Sequence, residues 1–363
     1  MNFFADILSS LFDRKLGLAN RIEDDNKPID DLCQALLSSR GDVSGMSLAQ
    51  LILERYADLD DDDKLAWFLL LANDMDVPAE VTIAAIKAYQ DAPSAKNYEA
   101  MTAAVEPARL QLIRRLNQTH DATAKLVAMR EDLIRFLPKH PDLGKLNVDF
   151  KHLFASWFNR GFLVLRPINW SSPAHILEKI ITYESVHEIE NWDDLRRRLQ
   201  PDDRRCFAFF HPAMPDEPLI FVEVALTKGT PNSIQSVLLE NRDAMAAEKA
   251  DTAAFYSISN CQAGLAGISF GNSLIKTVVQ HLLRELPQIR NFVTLSPIPG
   301  LVKWLRETGN FDADATAETH MQLAAHYLLN AKHHNGQPRD PVARFHLNNG
   351  ALVGAVHANA DKS

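Results

Sequence analysis

Two hydrophobic periods divide the chain. Over residues 1–157 the apolar positions recur at three- and four-residue spacing, the period of helices that bury one face. Leu48–Tyr56 and Leu65–Leu71 carry it, and the same spacing predicts helices over Ala79–Tyr89, Tyr98–Asn117 and Ala122–Leu137. In the last of these Leu126, Met129, Leu133 and Leu137 fall in register, and Pro93, Pro107, Pro138 and Pro141 punctuate the series. Asp58 to Asp63, acidic apart from Leu59, reads as a solvated turn leading into a helix N-terminus, where carboxylates suit the dipole. Metal binding is the alternative reading of that run.

Past Trp157 short aromatic and β-branched runs take over. Phe162–Leu165, Cys206–Phe210 and Leu219–Leu226 are expected as strands, the last two flanking a proline-rich loop, His211–Pro218. Helices are expected at Ala174–Tyr183, at the basic run Leu195–Leu199 and at Met321–Leu329. The arginines of the basic run (Arg196, Arg197 and Arg198) suit a solvated face or a neighbouring phosphate. Arg344–Leu347 reads as a strand, Asn348-Asn349-Gly350 as a hairpin turn, and Ala351–Val356 as the returning strand. The expectation is an α+β chain: an all-helical domain over 1–157, then a mixed-sheet domain over 158–363.

Within the mixed-sheet domain a single unit stands out, Ala254 to Pro299. Phe255–Ser259 is strand-like, Gly264, Gly267 and Gly271 interrupt the next turn, and Ile275, Val278, Val279, Leu282 and Leu286 form a helical stripe. A second strand, Phe292–Leu295, runs into Ser296-Pro297-Ile298-Pro299-Gly300. A glycine turn opening a helix suits an anion, because the first helical N–H groups lack intrahelical partners and the dipole adds positive charge. It suits a tight packing turn equally well. Walker and dinucleotide fingerprints do not fit the spacing.

Composition narrows the classes. A chain of 363 residues, 46% hydrophobic and 23% charged, has the make-up of an ordinary globular protein of two domains. Its net charge of −9 argues against nucleic-acid binding by bulk charge. Three cysteines (Cys33, Cys206 and Cys261) without a CxxC pair suggest reduced thiols, a cytoplasmic location and no zinc site. The amphipathic start, with Phe3, Phe4, Ile7, Leu8, Leu11 and Phe12, lacks the basic front and cleavage site of a signal peptide. No apolar run reaches membrane-spanning length, so no membrane partner is expected.

Several ordered segments resemble the malonyl-CoA decarboxylase family: Phe209–Leu219 (FFHPAMPDEPL), Val224–Thr227, Phe255–Ser259, Gln262–Gly271 with Leu274-Ile275-Lys276, Leu295–Gly300 (LSPIPG) and Phe345–Ala351 (FHLNNGA). The resemblance covers nearly the whole chain. It implies a helical oligomerisation domain, giving a homodimer or larger homo-oligomer, and a catalytic domain of the GNAT, acyl-CoA N-acetyltransferase-like, type. It implies that the glycine loop holds the pyrophosphate of coenzyme A, through Gly264, Ala266, Gly267, Ile268, Ser269, Phe270, Gly271 and Asn272. Ser269 stands where some members carry a glutamate. Members also continue through a further segment bearing a tyrosine, whereas this sequence stops at Ser363.

The implied reaction converts malonyl-CoA to acetyl-CoA and carbon dioxide, with Ser296 and His346 as the catalytic pair. At those matched positions we assign His346 as proton donor to the new methyl group, with Ser296 hydrogen-bonding the substrate's carboxylate or thioester and sharing a proton with His346. A thioester is its own electron sink, so pyridoxal phosphate, biotin and metal are not required; coenzyme A enters as part of the substrate. The alternatives are a CoA-dependent acyltransferase and a catalytically silent CoA-binding module, since fold does not fix function. Cys261, His211 and Glu223 are read as packing or structural residues.

Overall fold

The computed structural model describes residues 27–38, 42–240, 242–268 and 271–361, with backbone alone at 42–43 and 271–273. The amphipathic start and the candidates Ser269 and Phe270 lie outside the described residues. The chain divides into two units: residues 1–157 with 263–268, and residues 158–262 with 269–363.

The first unit is helical: α1 (Ile29–Ser38), α2 (Asp42–Asp58), α3 (Asp61–Asn73), α4 (Ala79–Asp91), α5 (Ala95–Ala104), α6 (Ala108–Leu116), α7 (Ala122–Phe136) and α8 (Gly144–Trp157). The expected helix Tyr98–Asn117 is two helices, α5 and α6, because Pro107 cannot donate an interior hydrogen bond and instead stands at the N-cap of α6. The acidic run is a helix start. The Asp60 carboxylate caps α3 by accepting from the Asp63 N–H at 2.9 Å, and Asp61 pairs with Arg135. The core follows the sequence stripes, with Ile52, Phe68, Leu71, Leu112, Ile113, Leu126, Met129, Leu133 and Phe150 fully buried. Tyr56, Trp67 and Phe68 pack as tilted rings 5.0–5.9 Å apart.

The second unit is built on β1 (Val164–Ile168), β2 (Arg204–His211), β3 (Met214–Thr227), β4 (Thr252–Asn260) and β5 (Asn291–Thr294), adjacent in sequence order. The first four strands are antiparallel and β5 joins β4 in parallel. The expected loop His211–Pro218 is mostly strand. The turn contracts to Pro212-Ala213, β3 begins at Met214, and the pairing shifts register at Phe209, Phe210 and His211. Strand alternation in β2 sends Cys206, Ala208 and Phe210 to one face. There they pack under α9 (Ala174–Tyr183) and α10 (Trp192–Leu199), through Ile176, Leu177, Ile180, Leu195 and Leu199. Phe207 points the other way and meets His281 of α12 (Gly271–Glu285), the crossover helix between β4 and β5, at 5.1 Å. The short α11 (Ile234–Leu238) packs Ile234 and Val237 on Ala225 and Tyr256.

After β5 come α13 (Leu301–Glu307), α14 (Ala317–Asn330) and α15 (Pro341–Asn348). The expected strand Arg344–Leu347 is therefore helix. Asp340 at the N-cap and Pro341 at the first turn start it. Asn349 is its C-cap and Gly350, at φ +88°, its left-handed terminus. The Asn-Asn-Gly run, expected as a hairpin turn, is thus a helix stop, and no strand returns over residues 351–356.

Candidate active site

Ser296 and His346 meet. Pairing of β4 with β5 ends at Phe255↔Thr294, and the Leu295 N–H still donates to the Phe255 carbonyl at 2.8 Å. The next residue, Ser296, has left the sheet and is exposed. Its Oγ lies 3.1 Å from His346 Nε2, across from the last turns of α15. His346 is half-buried beside the edge of the Phe345 ring, and burial pulls its pKa below the ordinary histidine value by disfavouring the imidazolium. The neutral ring accepts the Ser296 hydroxyl proton at Nε2; the protonated ring donates to Ser296 Oγ.

Asp340, a residue that sequence reasoning does not single out, fixes this pair. It is 2% exposed, and its Oδ1 accepts from the Val342 and Ala343 N–H groups at 3.0 and 2.9 Å. Its Oδ2 accepts from the Gly300 N–H at 3.1 Å. One carboxylate therefore starts the helix that carries His346 and anchors the loop that carries Ser296. Gly300 is required there, since a Cβ would fall 2.2 Å from the Tyr327 hydroxyl and 3.2 Å from Asp340 Oδ2. Trp304, Leu305 and Tyr327, with Ile298 and Leu301 against them, form the small core under the loop. The signal available in the sequence is Asp340-Pro341, a capping residue followed by a first-turn proline.

The glycine segment is built within the first unit. Ala263–Leu265 forms a single 3₁₀ turn, and Gly264 presses on α7 so closely that a Cβ would lie 1.9 Å from the Val127 carbonyl oxygen. Arg130, 2% exposed, turns its guanidinium to the segment: Nη1 donates to the Gly264 carbonyl and Nη2 to the Ala266 carbonyl at 2.8 Å, while Nε donates to Asn147 Oδ1 at 3.1 Å. Ala266 and Ile268 give their own N–H groups to the carbonyls of Ala263 and Leu265, both at 3.0 Å. Gly267 adopts φ +77°, a left-handed backbone suited to glycine. Among the described residues its N–H has no protein acceptor. Gly271 and Asn272 open α12; their side-chain surroundings lie outside the described residues.

The other marked residues are structural. Burial raises the Cys261 thiol far above its usual range, which keeps it protonated. His211 Nδ1 accepts from the Ala213 N–H at 3.1 Å and closes the hairpin. Arg198 fits neither reading of the basic run. It is 3% exposed and donates to the His187 carbonyl at 2.7 Å, the Glu188 carbonyl at 2.9 Å and Asp194 at 3.0 Å. Glu223, fully buried, is pushed up to about 8 by burial and the nearby Glu184, against the pull of Arg198 3.3 Å away. Among the described residues no group of three or more His, Cys, Asp or Glu side chains is placed to hold a metal.

Residues 77–158 match the profile of the malonyl-CoA decarboxylase N-terminal domain, and residues 161–319 and 308–363 match that of the C-terminal domain. The chain belongs to the malonyl-CoA decarboxylase family. It is similar to the crystal structure of malonyl-CoA decarboxylase from Rhodopseudomonas palustris, with 49% identity and a TM-score of 0.83 over 89% of this chain and 85% of that one. The Agrobacterium vitis malonyl-CoA decarboxylase structure gives 48% identity and a TM-score of 0.84, again over 89% and 85%. The mitochondrial malonyl-CoA decarboxylase of Anser anser anser is 37% identical over 303 residues, 69% of this chain and 60% of that protein. The chain thus spans less than two thirds of the length of that curated relative. The helical region followed by a mixed sheet is the α+β arrangement expected from the sequence.

Proposed function

We propose that this chain decarboxylates malonyl-CoA, giving acetyl-CoA and carbon dioxide, and that Ser296 and His346 carry the chemistry. The observation behind the reading is the 3.1 Å approach of Ser296 Oγ to His346 Nε2, in a chain of this family. Breaking the bond between the carboxylate and the α-carbon leaves its electron pair on the thioester as an enolate, whose oxygen needs a donor. Ser296 hydrogen-bonds the substrate at the carboxylate or thioester and shares a proton with His346. The imidazolium of His346 then delivers a proton to the α-carbon, Ser296 stays neutral, and the ring regains its proton from solvent. One proton is consumed per turnover, and the thioester itself serves as electron sink, so no further cofactor is invoked.

Burial biases the resting imidazole to its neutral form, so the ring takes its proton from solvent as substrate binds. A malonyl carboxylate placed beside the ring favours the imidazolium and lifts its pKa. Coenzyme A is held by the glycine segment, from Gly264 to Asn272. The reaction places the chain in fatty acid metabolism. Its buried free thiols suit a reducing compartment such as the cytoplasm. Helices α4 and α5 bury none of their residues, which suits a homo-oligomer assembled through the helical region.

The test is carbon dioxide release from malonyl-CoA by the purified chain without any acceptor. Release at enzymatic rates supports the decarboxylase. Transfer of the acyl group to an added amine, without release, would assign an acyltransferase instead.

A further inference from the structure

We propose that Lys151, on α8, is the cation that binds the diphosphate of coenzyme A over Gly267; this rests on the CoA reading of the glycine segment. The segment offers an anion less than a free glycine loop would. Ala266 and Ile268 have already spent their N–H groups on internal turns, and the Gly264 and Ala266 carbonyls face Arg130. What remains open in residues 266–268 is the Gly267 N–H. Backbone N–H groups carry no net charge, and the two negative charges of a diphosphate call for a cation beside them.

Lys151 supplies it. A Cβ built on Gly267 would lie 3.4 Å from both Cε and Nζ of Lys151, so the ammonium sits beside the left-handed residue. The arrangement is prepared by its neighbours on the helix. Asn147 and Lys151 are four residues apart, hence on one face of α8. Asn147 receives the Arg130 Nε–H at 3.1 Å while the other Arg130 nitrogens grip the segment. The same face that sets the segment's backbone therefore brings the ammonium to it. Lys151 is exposed, and among the described residues no carboxylate pairs with it. Arg130, buried and fully engaged with carbonyls, is a positioning residue; Lys151 touches the ligand.

The experiment is calorimetric titration of the full chain with CoA, dephospho-CoA and S-acetylpantetheine, for wild type and for Lys151→Gln, Lys151→Arg and Gly267→Val. Loss of one charge-assisted contact to phosphate should weaken CoA and dephospho-CoA equally in Lys151→Gln, by roughly tenfold. S-acetylpantetheine, which has no diphosphate, should bind wild type and Lys151→Gln alike, and Lys151→Arg should restore most of the CoA affinity. If Lys151→Gln binds CoA as wild type does while Gly267→Val does not, the lysine is uninvolved and the loop reading stands. If Gly267→Val also binds CoA normally, the segment is not the CoA site and the proposal falls with it. A penalty seen with CoA but not with dephospho-CoA would move Lys151 to the ribose phosphate and overturn the assignment.

Discussion

A half-buried histidine held against a serine hydroxyl behaves differently from either residue alone. His346→Ala should lower kcat by roughly 10²- to 10⁴-fold, the range for loss of a positioned acid. Ser296→Ala should cost a similar factor, and the double variant should be little worse than either, because the two act as a unit. Malonyl-CoA affinity should change little in all three. The pH profile carries the sign of the shift. The donor must be protonated, and burial holds the free-enzyme pKa of His346 below the ordinary 6.5. So kcat/KM should fall as pH rises through a midpoint below 6.5, while kcat, which reports the substrate complex, should fall at higher pH. A kcat/KM that climbs with pH over that interval would rule His346 out as the donor. Glu223 gives a stability signature of its own. Its carboxyl titrates near 4.5 when unfolded and about 8 when folded, so the folded state binds the extra proton between those values. Its contribution is whole below pH 4.5 and is lost by about pH 8. Melting curves of Glu223→Gln and wild type should therefore diverge in favour of the variant as pH rises across that window. Curves that stay parallel would show that Glu223 is ionised in the folded protein.

At the scale of elements, Asp340 links two of them. Asp340→Ala leaves the N–H groups of Gly300, Val342 and Ala343 without acceptors in a buried place. It should cost about 2–4 kcal/mol, from a lost N-cap and an unsatisfied buried donor. Asp340→Asn can still cap α15, but its amide nitrogen then faces the Gly300 N–H. Both variants should lower kcat more than they change the CoA dissociation constant, because the Ser296 loop and α15 drift apart. Equal kcat with lower thermal stability would make Asp340 a fold residue only. The same elements show what a sequence can and cannot tell. Strands β2 to β5 and the crossover α12 are legible, because aromatic and β-branched runs and a helical stripe of Val278 and Leu282 leave one consistent burial. The Ser296–His346 pair is reached through the matched motifs LSPIPG and FHLNNGA, not through secondary structure. Arg344–Leu347 reads wrongly as a strand because alternation over so few residues cannot be told from a helix face. Asn-Asn-Gly suits a hairpin turn and a helix C-cap alike. The grip of Arg130 on Gly264 joins residues 134 apart in sequence, and no local pattern announces it.

For the whole molecule, the open matter is what covers α4 and α5. Val81, Ile83 and Ile86 on α4 and Tyr98 on α5 are 57, 54, 38 and 55% exposed, and neither helix buries a single side chain. Scattered apolar side chains are ordinary on a surface, but α4 and α5, which pack on each other through the Tyr89 and Tyr98 rings and the Thr82–Ala104 hydrogen bond, leave Val81, Ile83 and Ile86 as an uncovered apolar face. A second copy of the chain would supply the missing contact. Light scattering at micromolar concentration should then give a mass of at least two chains. Ile83 and Ile86 are three residues apart and therefore neighbours on the helix. Ile83→Asp with Ile86→Asp should shift the mass toward one chain by placing carboxylates in a desolvated contact. Because both positions are exposed in the single chain, the melting temperature of the dissociated variant should fall only as far as loss of association requires, and dilution of wild type should reproduce it. A wild-type mass of one chain at micromolar concentration would refute self-association outright. An unchanged oligomeric mass in the double variant would place the interface elsewhere in the helical region and leave α4 and α5 to another partner.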